Sequence, residues 1–167
     1  VQYFWWLKNL LRLDFGYSFT QKNPVLSVIR TRLSNTLLLS VTSLIFTWLI
    51  SIPLGIFCAV KQYRAWDKIF SGLSFVGLSI PSFFLAIILL FLASASGVLP
   101  SGGMRSANFE ELSSFLKILD ILRHLIIPTI VVSLGAIASL QRIMRGNMLE
   151  VLRQRYILTA RAKGLPE

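Results

Sequence analysis

The sequence contains few of the side chains on which soluble enzymes and disulfide-stabilised domains depend. Among 167 residues there are one cysteine, one histidine and only seven acidic residues. A lone cysteine, Cys58, excludes a disulfide framework within this chain, and no spacing is typical of metal ligands. There is no phosphate-binding P-loop either, because no Lys is followed by Ser or Thr. We therefore expect no catalytic residue, no metal and no cofactor here, so any ATP chemistry has to belong to a partner.

Charge is scarce and unevenly distributed. Charged residues make up 14% of the chain, whereas soluble domains contain about 25%. Three long runs contain none: Leu33–Val60, Ile69–Met104 and His124–Gln141. A bilayer span needs about 20 apolar residues, and barrel strands would instead alternate over about 10 residues. The runs predict an all-α membrane protein, a polytopic transmembrane helix bundle with spans at about 35–60, 69–95 and 124–142.

The net charge of +10 would suggest nucleic-acid binding in a soluble protein. Here the basic residues lie between apolar spans, so membrane topology explains them and we expect no nucleic-acid partner. Lys and Arg are about twice as dense on the side of the loop 61–68 and the C-terminal stretch, which favours a cytoplasmic location for both. Residues 1–34 are then an external interfacial segment, with aromatic residues and Lys8 near its start.

Small residues follow one another at every fourth position of the first span: Ser43, Thr47, Ser51, Gly55 and Ala59. Such a stripe lets a second helix approach closely, so we expect it to face protein rather than lipid. Pro53 in the same span lacks an N–H donor and predicts a bend.

The second span opens with Gly72-Leu73-Ser74 and Gly77-Leu78-Ser79, and Pro81 follows. Pro81 frees the carbonyl of Gly77 at membrane depth, which is tolerated only inside protein or beside a water-filled path. We therefore predict that a set of residues from the first two spans serves helix packing or a transport pathway: Ser51, Gly55, Gly77, Ser79 and Pro81.

The C-terminal stretch 146–167 is basic and has the pattern of a docking element. Gly146 interrupts a helical pattern, and Asn147 with Glu150 has capping-box spacing. A short helix is expected over Thr159–Lys163, closed by Gly164 in a left-handed conformation, with Pro166 preventing its resumption. Local physics alone also allows an interfacial helix held by anionic lipid.

The residues of this stretch resemble a known loop. The run Tyr156–Leu165, Y-I-L-T-A-R-A-K-G-L, resembles the cytoplasmic coupling loop of ABC importer permeases of the dipeptide and oligopeptide class. The family has Glu-Ala-Ala followed by Gly, whereas Leu158 and Thr159 stand here in place of the Glu and the first Ala. The Gly77–Phe83 segment also resembles the family's Gly-x-Ser-Ile-Pro-Ser-Phe.

The resemblance implies a permease of the type I ABC importer kind that moves dipeptides or oligopeptides across the bacterial inner membrane. It implies a second permease subunit, two cytoplasmic ATP-binding subunits and an extracytoplasmic substrate-binding protein. Importers of nickel or cationic peptides share this architecture. The expected contacts with the ATP-binding subunits are Tyr156, Thr159, Ala160, Lys163, Gly164 and Leu165. We also expect the chain to be an internal fragment that lacks a first helix and everything after the coupling loop.

One alternative comes from a different class of protein, the intramembrane serine hydrolases. Gly77-x-Ser79 loosely resembles their nucleophile motif, and His124 could act as the base. The motif lacks its closing Gly, and His124 begins the next span at its outer end. We therefore adopt the permease hypothesis.

Overall fold

The structure is a computed structural model and describes residues 2–164, apart from the side chain of Arg161. It is helical except for a two-stranded hairpin. The elements are α1 Gln2–Leu11, β1 Tyr17–Ser18, β2 Asn23–Pro24, α2 Val25–Val60, α3 Ala65–Ser79, α4 Ser82–Ser96, a 3-10 helix Phe109–Glu111, α5 Ser114–Leu152 and α6 Arg155–Ala162. The chain divides into two compact units, Val1–Ser40 and Val41–Glu167.

The first unit contains α1, the hairpin and the start of α2. The aromatic residues of α1 are exposed, and the Lys8 ammonium lies 5.3 Å from the ring centroid of Trp5. Gly16 has φ +73°, and its N–H donates to Asp14 Oδ1 at 3.0 Å, which turns the chain into β1. Exposed aromatic rings beside a cation suit a membrane interface, and the external location of this segment stays a prediction.

In the second unit, α5 packs against the small-residue face of α2. The buried residues of α2 are the predicted stripe together with Cys58. A Cβ on Gly55 would lie 2.7 Å from Met144 Cβ and 2.9 Å from the Gln141 carbonyl oxygen. Further along, Ser133 Oγ donates to the carbonyl of Ser43 at 3.2 Å. The two helices approach this closely because the stripe has almost no side-chain volume.

These contacts also fix the relative directions of the helices in the second unit. Contacts run from Ser43–Ser133 to Gly55–Met144, so α2 and α5 are parallel. On α3, by contrast, Asp67 meets Arg145 while Gly77 meets Leu134 and Ala138, so α3 and α5 are antiparallel. Two parallel spanning helices need a return crossing between them. Two of the described helices are long and apolar enough to cross a membrane, and the bent α3–α4 pair is the candidate for the return crossing.

The disturbance that Pro81 predicts in the second span is present as a complete break. The span consists of α3 and α4, which are bent by 96° at Ile80-Pro81. Ile80, before the proline, has extended backbone with ψ 119°, since the proline ring disfavours helical geometry there. Pro81 itself takes the N-cap position of α4. The sequence predicted a free carbonyl at Gly77, whereas the structure ends α3 three residues later, at its C-cap Ile80.

Both long helices extend beyond the predicted spans. α2 begins at Val25, ten residues before the expected start. Part of the stretch between the second and third predicted spans is helical too, because α5 begins at Ser114, ten residues before the predicted start of the third span. Ser106 ties the remaining loop to this first part of α5: its N–H donates to Asp120 Oδ2 at 2.9 Å.

At its other end, α5 continues through Gly146 to Leu152. The predicted helix interruption and the Asn147–Glu150 capping box are therefore wrong. A glycine within a helix costs only about 1 kcal/mol relative to alanine. That cost is offset by packing of Met144 against α2 and by the ion pair of Arg145 described below. The final helix, α6, begins at Arg155, four residues before its predicted start.

Candidate functional site

The end of the described chain forms a short helix that leaves one polar face uncovered. Tyr156, Thr159 and Lys163 are exposed and lie three and four residues apart, on one side of α6 and its last turn. Thr159 Oγ1 donates to the Arg155 carbonyl at 2.9 Å, so its hydroxyl proton is already bonded within the helix. The three side chains form a surface that a partner could contact, and we call it the α6 face.

Beside the α6 face, Ile157 and Ala160 are half-buried, and so is Leu152 at the end of α5. Ala160 follows Tyr156 by four residues and precedes Lys163 by three, so it borders the α6 face. A contact of Ala160 with an ATP-binding subunit stays a prediction.

Gly164 has φ +77° and ends the helix as predicted. Nothing lies within 4 Å of the position that a Cβ would take. The backbone conformation, rather than crowding within the described chain, is what requires glycine here. Leu165 and Pro166 lie outside the described residues, so the predictions for them stand as predictions.

An ion pair joins α3 and α5, and it was not predicted from the sequence. Arg145 Nε and Nη2 each donate to one carboxylate oxygen of Asp67, both at 2.7 Å. The Tyr63 N–H also donates to Asp67 Oδ2 at 3.0 Å, and Ser71 Oγ approaches Oδ1 at 3.4 Å. Asp67 is only 3% exposed. Removing one partner of such a buried pair typically costs about 3–5 kcal/mol.

A sequence signal for this pair existed. Asp67 is the only acidic residue between Asp14 and Glu110, and it stands among Lys61, Arg64 and Lys68. An isolated acid at the end of an apolar span has to find a partner or stay in water. The partner could not be identified from the sequence, because Arg145 is 78 positions away.

The interface between α3 and α5 continues from the ion pair toward the C-terminal end of α3. Gln141, one helical turn before Arg145, is 1% exposed and accepts a hydrogen bond from Ser74 Oγ at 2.9 Å. Gly77 is buried against Leu134 and Ala138. Beside this interface lies a groove of about 290 Å³, which residues from both helices line: Ser71, Ser74, Phe75, Leu78, Gln141, Arg142 and Arg145.

The structure separates the five residues predicted for packing or a pathway. Ser51 and Gly55 lie on the buried face of α2, and Gly77 faces α5. Ser79 and Pro81 are exposed at the break between α3 and α4. The first three have the environment of packing residues. A pathway role for the last two stays a prediction.

The hydrolase alternative needs Ser79 and His124 to act together. Ser79 Oγ donates to the carbonyl of Phe75 at 2.8 Å, within its own helix. Nδ1 of the His124 ring contacts the Asp120 carbonyl, also at 2.8 Å, and the ring is buried. Within residues 2–164, no described hydrogen bond joins this serine to this histidine. The geometry gives the hydrolase hypothesis no support.

Comparison with known proteins decides between these alternatives. The profile of the family described as "binding-protein-dependent transport system inner membrane component" matches residues 51–167. This chain belongs to that family. The match covers the end of α2 and all of α3–α6, and so it includes the α6 face and the Asp67–Arg145 pair. The chain is accordingly a multi-pass component of a transport system in the cytoplasmic membrane.

Curated relatives in this family match 95–100% of the chain. The oligopeptide transport system permease protein AppB of Bacillus subtilis is 43% identical over 169 residues, which is 100% of this chain and 52% of the relative. The peptidoglycan transport system permease protein YejB of Agrobacterium fabrum is 36% identical over 95% of the chain and 44% of its own length. The nickel import system permease protein NikB of Staphylococcus aureus is 33% identical over 100% and 45%. The chain thus spans about half the length of the relatives it matches.

Proposed function

We propose that this chain is part of the permease subunit of an ABC importer that moves dipeptides or oligopeptides across the cytoplasmic membrane. ATP hydrolysis in partner subunits drives the transport. One observation carries the proposal: a short helix at the end of α5 presents Tyr156, Thr159 and Lys163 outward and closes at a left-handed Gly164. An exposed, capped helix beyond a membrane span is suited to dock into another protein.

The proposal requires partners, since the sequence has no P-loop of its own. They are two cytoplasmic ATP-binding subunits, a second permease subunit and an extracytoplasmic substrate-binding protein. The family description itself refers to a binding-protein-dependent system. In this arrangement the α6 face contacts an ATP-binding subunit, and α6 lies on the cytoplasmic side.

The connection between α6 and α5 favours transmission of movement. Only Arg153 and Gln154 separate the two helices, and their N–H groups donate to the carbonyls of Glu150 and Val151 at 3.2 and 3.0 Å. A turn this short and hydrogen-bonded cannot absorb much displacement. When the ATP-binding subunits close, α6 moves and takes the end of α5 with it. The break at Ile80-Pro81 then supplies a point about which α4 changes direction and access alternates.

Peptides are the favoured cargo because the relative named for oligopeptide transport is 43% identical, whereas the relative named for nickel import is 33% identical. Import of nickel or of cationic peptides is the second candidate, and the similarity to the nickel import permease NikB favours nickel over a cationic peptide.

Uptake by the reconstituted transporter tests the proposal. The full-length permease is co-expressed with the products of its neighbouring transport genes, and the complex is purified and reconstituted in proteoliposomes. ATP is enclosed in the vesicle lumen, and the labelled cargo is added outside. We expect ATP-dependent uptake of radiolabelled dialanine or a labelled pentapeptide, and no uptake of ⁶³Ni²⁺. Uptake of nickel and of neither peptide would contradict peptide import and support nickel import instead. Absence of any ATP-dependent uptake of these probes would refute the import function.

A further inference from the structure

We propose that the Asp67–Arg145 ion pair is a clasp that makes α3 follow α5 when α6 moves. The two residues are positioning residues for energy coupling. Their proposed role is to link the displaced helix to the broken span, not to bind ATP or cargo. The inference rests on the proposed import function and adds the route by which movement reaches the break at Ile80-Pro81.

The geometry of the pair is that of a rigid connection. Arg145 is held by two parallel hydrogen bonds of 2.7 Å, so its guanidinium can neither rotate nor slide without breaking both. The carboxylate is held from a third direction by the Tyr63 N–H at 3.0 Å. Tyr63 has φ +64°, an uncommon conformation for a residue with a side chain. That conformation aims its N–H at Asp67, so the loop between α2 and α3 is shaped around the carboxylate.

The pair also sits where a connection is useful. Arg145 lies seven residues before the end of α5, about 10 Å along the axis from the turn that leads to α6. Asp67 is in the first turn of α3, and α3 continues without interruption to Ser79 at the break. A displacement of the end of α5 therefore acts on the first turn of α3, and α3 carries it as a rigid rod to Ile80-Pro81.

The other contacts between these helices are less restrictive. A Cβ on Gly77 would lie 3.6–3.9 Å from Leu134 and Ala138, so even a methyl group would fit there without strain, and Ser74 makes one neutral hydrogen bond to Gln141. Smooth contacts between helices allow small sliding movements. Without the ion pair, α3 could remain packed on α5 and yet fail to follow it. Buried ion pairs contribute little to stability and more to a defined arrangement, which fits a role in coupling.

The experiment compares hydrolysis with uptake in the full-length reconstituted transporter, using radiolabelled dialanine as the probe. Asp67→Asn keeps the side-chain shape and removes the charge, and Asp67→Asn with Arg145→Gln leaves no charge unpaired. We expect the double variant to assemble and to hydrolyse ATP within about twofold of the wild-type rate, whereas Asp67→Asn alone leaves Arg145 unpaired and should lower the amount of assembled complex. In the complex that each variant does form, uptake per ATP hydrolysed should fall at least tenfold. The double variant should be no worse than the single one, because both remove the same interaction.

Arg142→Gln is the matched control. Arg142 lies on the same helix three residues earlier and lines the groove beside α3, but it is exposed and has no ion pair among the described residues. It should leave uptake per ATP unchanged. Arg145→Lys keeps the charge and loses the paired geometry, so it should give an intermediate ratio.

A distance measurement reports the movement independently of cargo. Spin labels are placed at Gly72→Cys on α3 and Phe91→Cys on α4, both exposed positions, in a background without other cysteines. We expect the distance across the break to change on ATP binding in the wild type and with Arg142→Gln, and to stay constant with Asp67→Asn/Arg145→Gln.

The outcomes distinguish a failure of the proposed peptide import from a failure of the proposed role of the Asp67–Arg145 pair. A wild-type complex that shows the ATP-dependent distance change but takes up no dialanine would contradict the proposed cargo and leave the clasp intact. Wild-type uptake per ATP in the double variant would overturn the clasp. So would failure of both the single and the double variants to assemble, because the pair would then serve folding alone.

Discussion

Single positions decide how closely the helices of this permease approach. At Gly55, a Cβ would lie under 3 Å from both a side-chain atom of Met144 and the backbone oxygen of Gln141. A side-chain atom could move away, but a helix backbone cannot do so cheaply. Gly72, on α3, has nothing within 4 Å of the same position. Gly55 therefore cannot be replaced by a larger residue without a clash, whereas Gly72 can.

This contrast gives the first prediction. Gly55→Leu, and Ser51→Leu on the same buried face, should destabilise the permease by about 1–3 kcal/mol or more, which is the usual cost of overpacking. Less protein should reach the membrane, and its thermal aggregation temperature should fall. Gly72→Leu is the matched control and should behave as wild type in both measurements. Normal amounts and stability of Gly55→Leu would show that the face is not tightly packed.

The second prediction concerns the backbone at Gly164. With φ +77°, a β-branched residue is strained by about 1–3 kcal/mol, whereas Asn tolerates this region. Gly164→Val should leave insertion unchanged but reduce co-purification of the ATP-binding subunits at least tenfold, and Gly164→Asn should largely restore it. Gly146→Ala serves as the control, because Gly146 lies within α5 and alanine suits a helix better. Equal co-purification of the Val and Asn variants would contradict a conformational requirement.

At the scale of elements, α6 is where two hypotheses still compete. A docking helix depends on the α6 face, while a lipid-held helix depends on its arginines. Arg153 and Arg155 are exposed at the turn before α6 and near its start. They can reach headgroups without touching a protein partner. Substitutions in the two sets therefore have different expected effects.

The third prediction uses this difference. Tyr156→Ala with Lys163→Glu should release the ATP-binding subunits from the purified permease, because it removes contact area and reverses a charge on the α6 face. Arg153→Gln with Arg155→Gln should have a mild effect, under about twofold on the same measurement. The reverse ranking would assign α6 to the lipid surface. Ala160→Arg is less diagnostic, since Ala160 is half-buried against the rest of the chain.

The sequence predicted features within single helices well, but it did not predict the contacts between helices. Periodicity located the small-residue face of α2, and Gly164 was recognised as a helix end, because both depend on neighbours within the same turn or helix. The helical path through Gly146 depends on contacts of Met144 and Arg145 with other helices. The Asp67–Arg145 pair likewise depends on how α3 lies on α5. Local patterns contain no information about these tertiary contacts, so they were missed.

At the scale of the whole molecule, the directions of the helices determine which ends share a side of the membrane. Because α2 and α5 are parallel, the loop after α2 and the end of α5 lie at the same level, where Asp67 meets Arg145. The loop after α4 is tied through Ser106 to Asp120, near the start of α5. A re-entrant α3–α4 pair would instead keep both loops on one side. The contacts therefore favour a broken but complete span.

The last prediction tests this topology with an impermeant maleimide on intact cells. Single cysteines are introduced at Arg64, Ser101 and Lys163 after Cys58→Ala. All three positions are exposed, whereas Cys58 is fully buried and should resist labelling itself. We expect Ser101→Cys to react from outside, and Arg64→Cys and Lys163→Cys to react only after permeabilisation. Labelling of Arg64→Cys and Lys163→Cys from opposite sides would contradict the parallel arrangement of α2 and α5. Labelling of both from outside would keep that arrangement but place α6 beyond the reach of cytoplasmic ATP-binding subunits, which would refute its proposed coupling role.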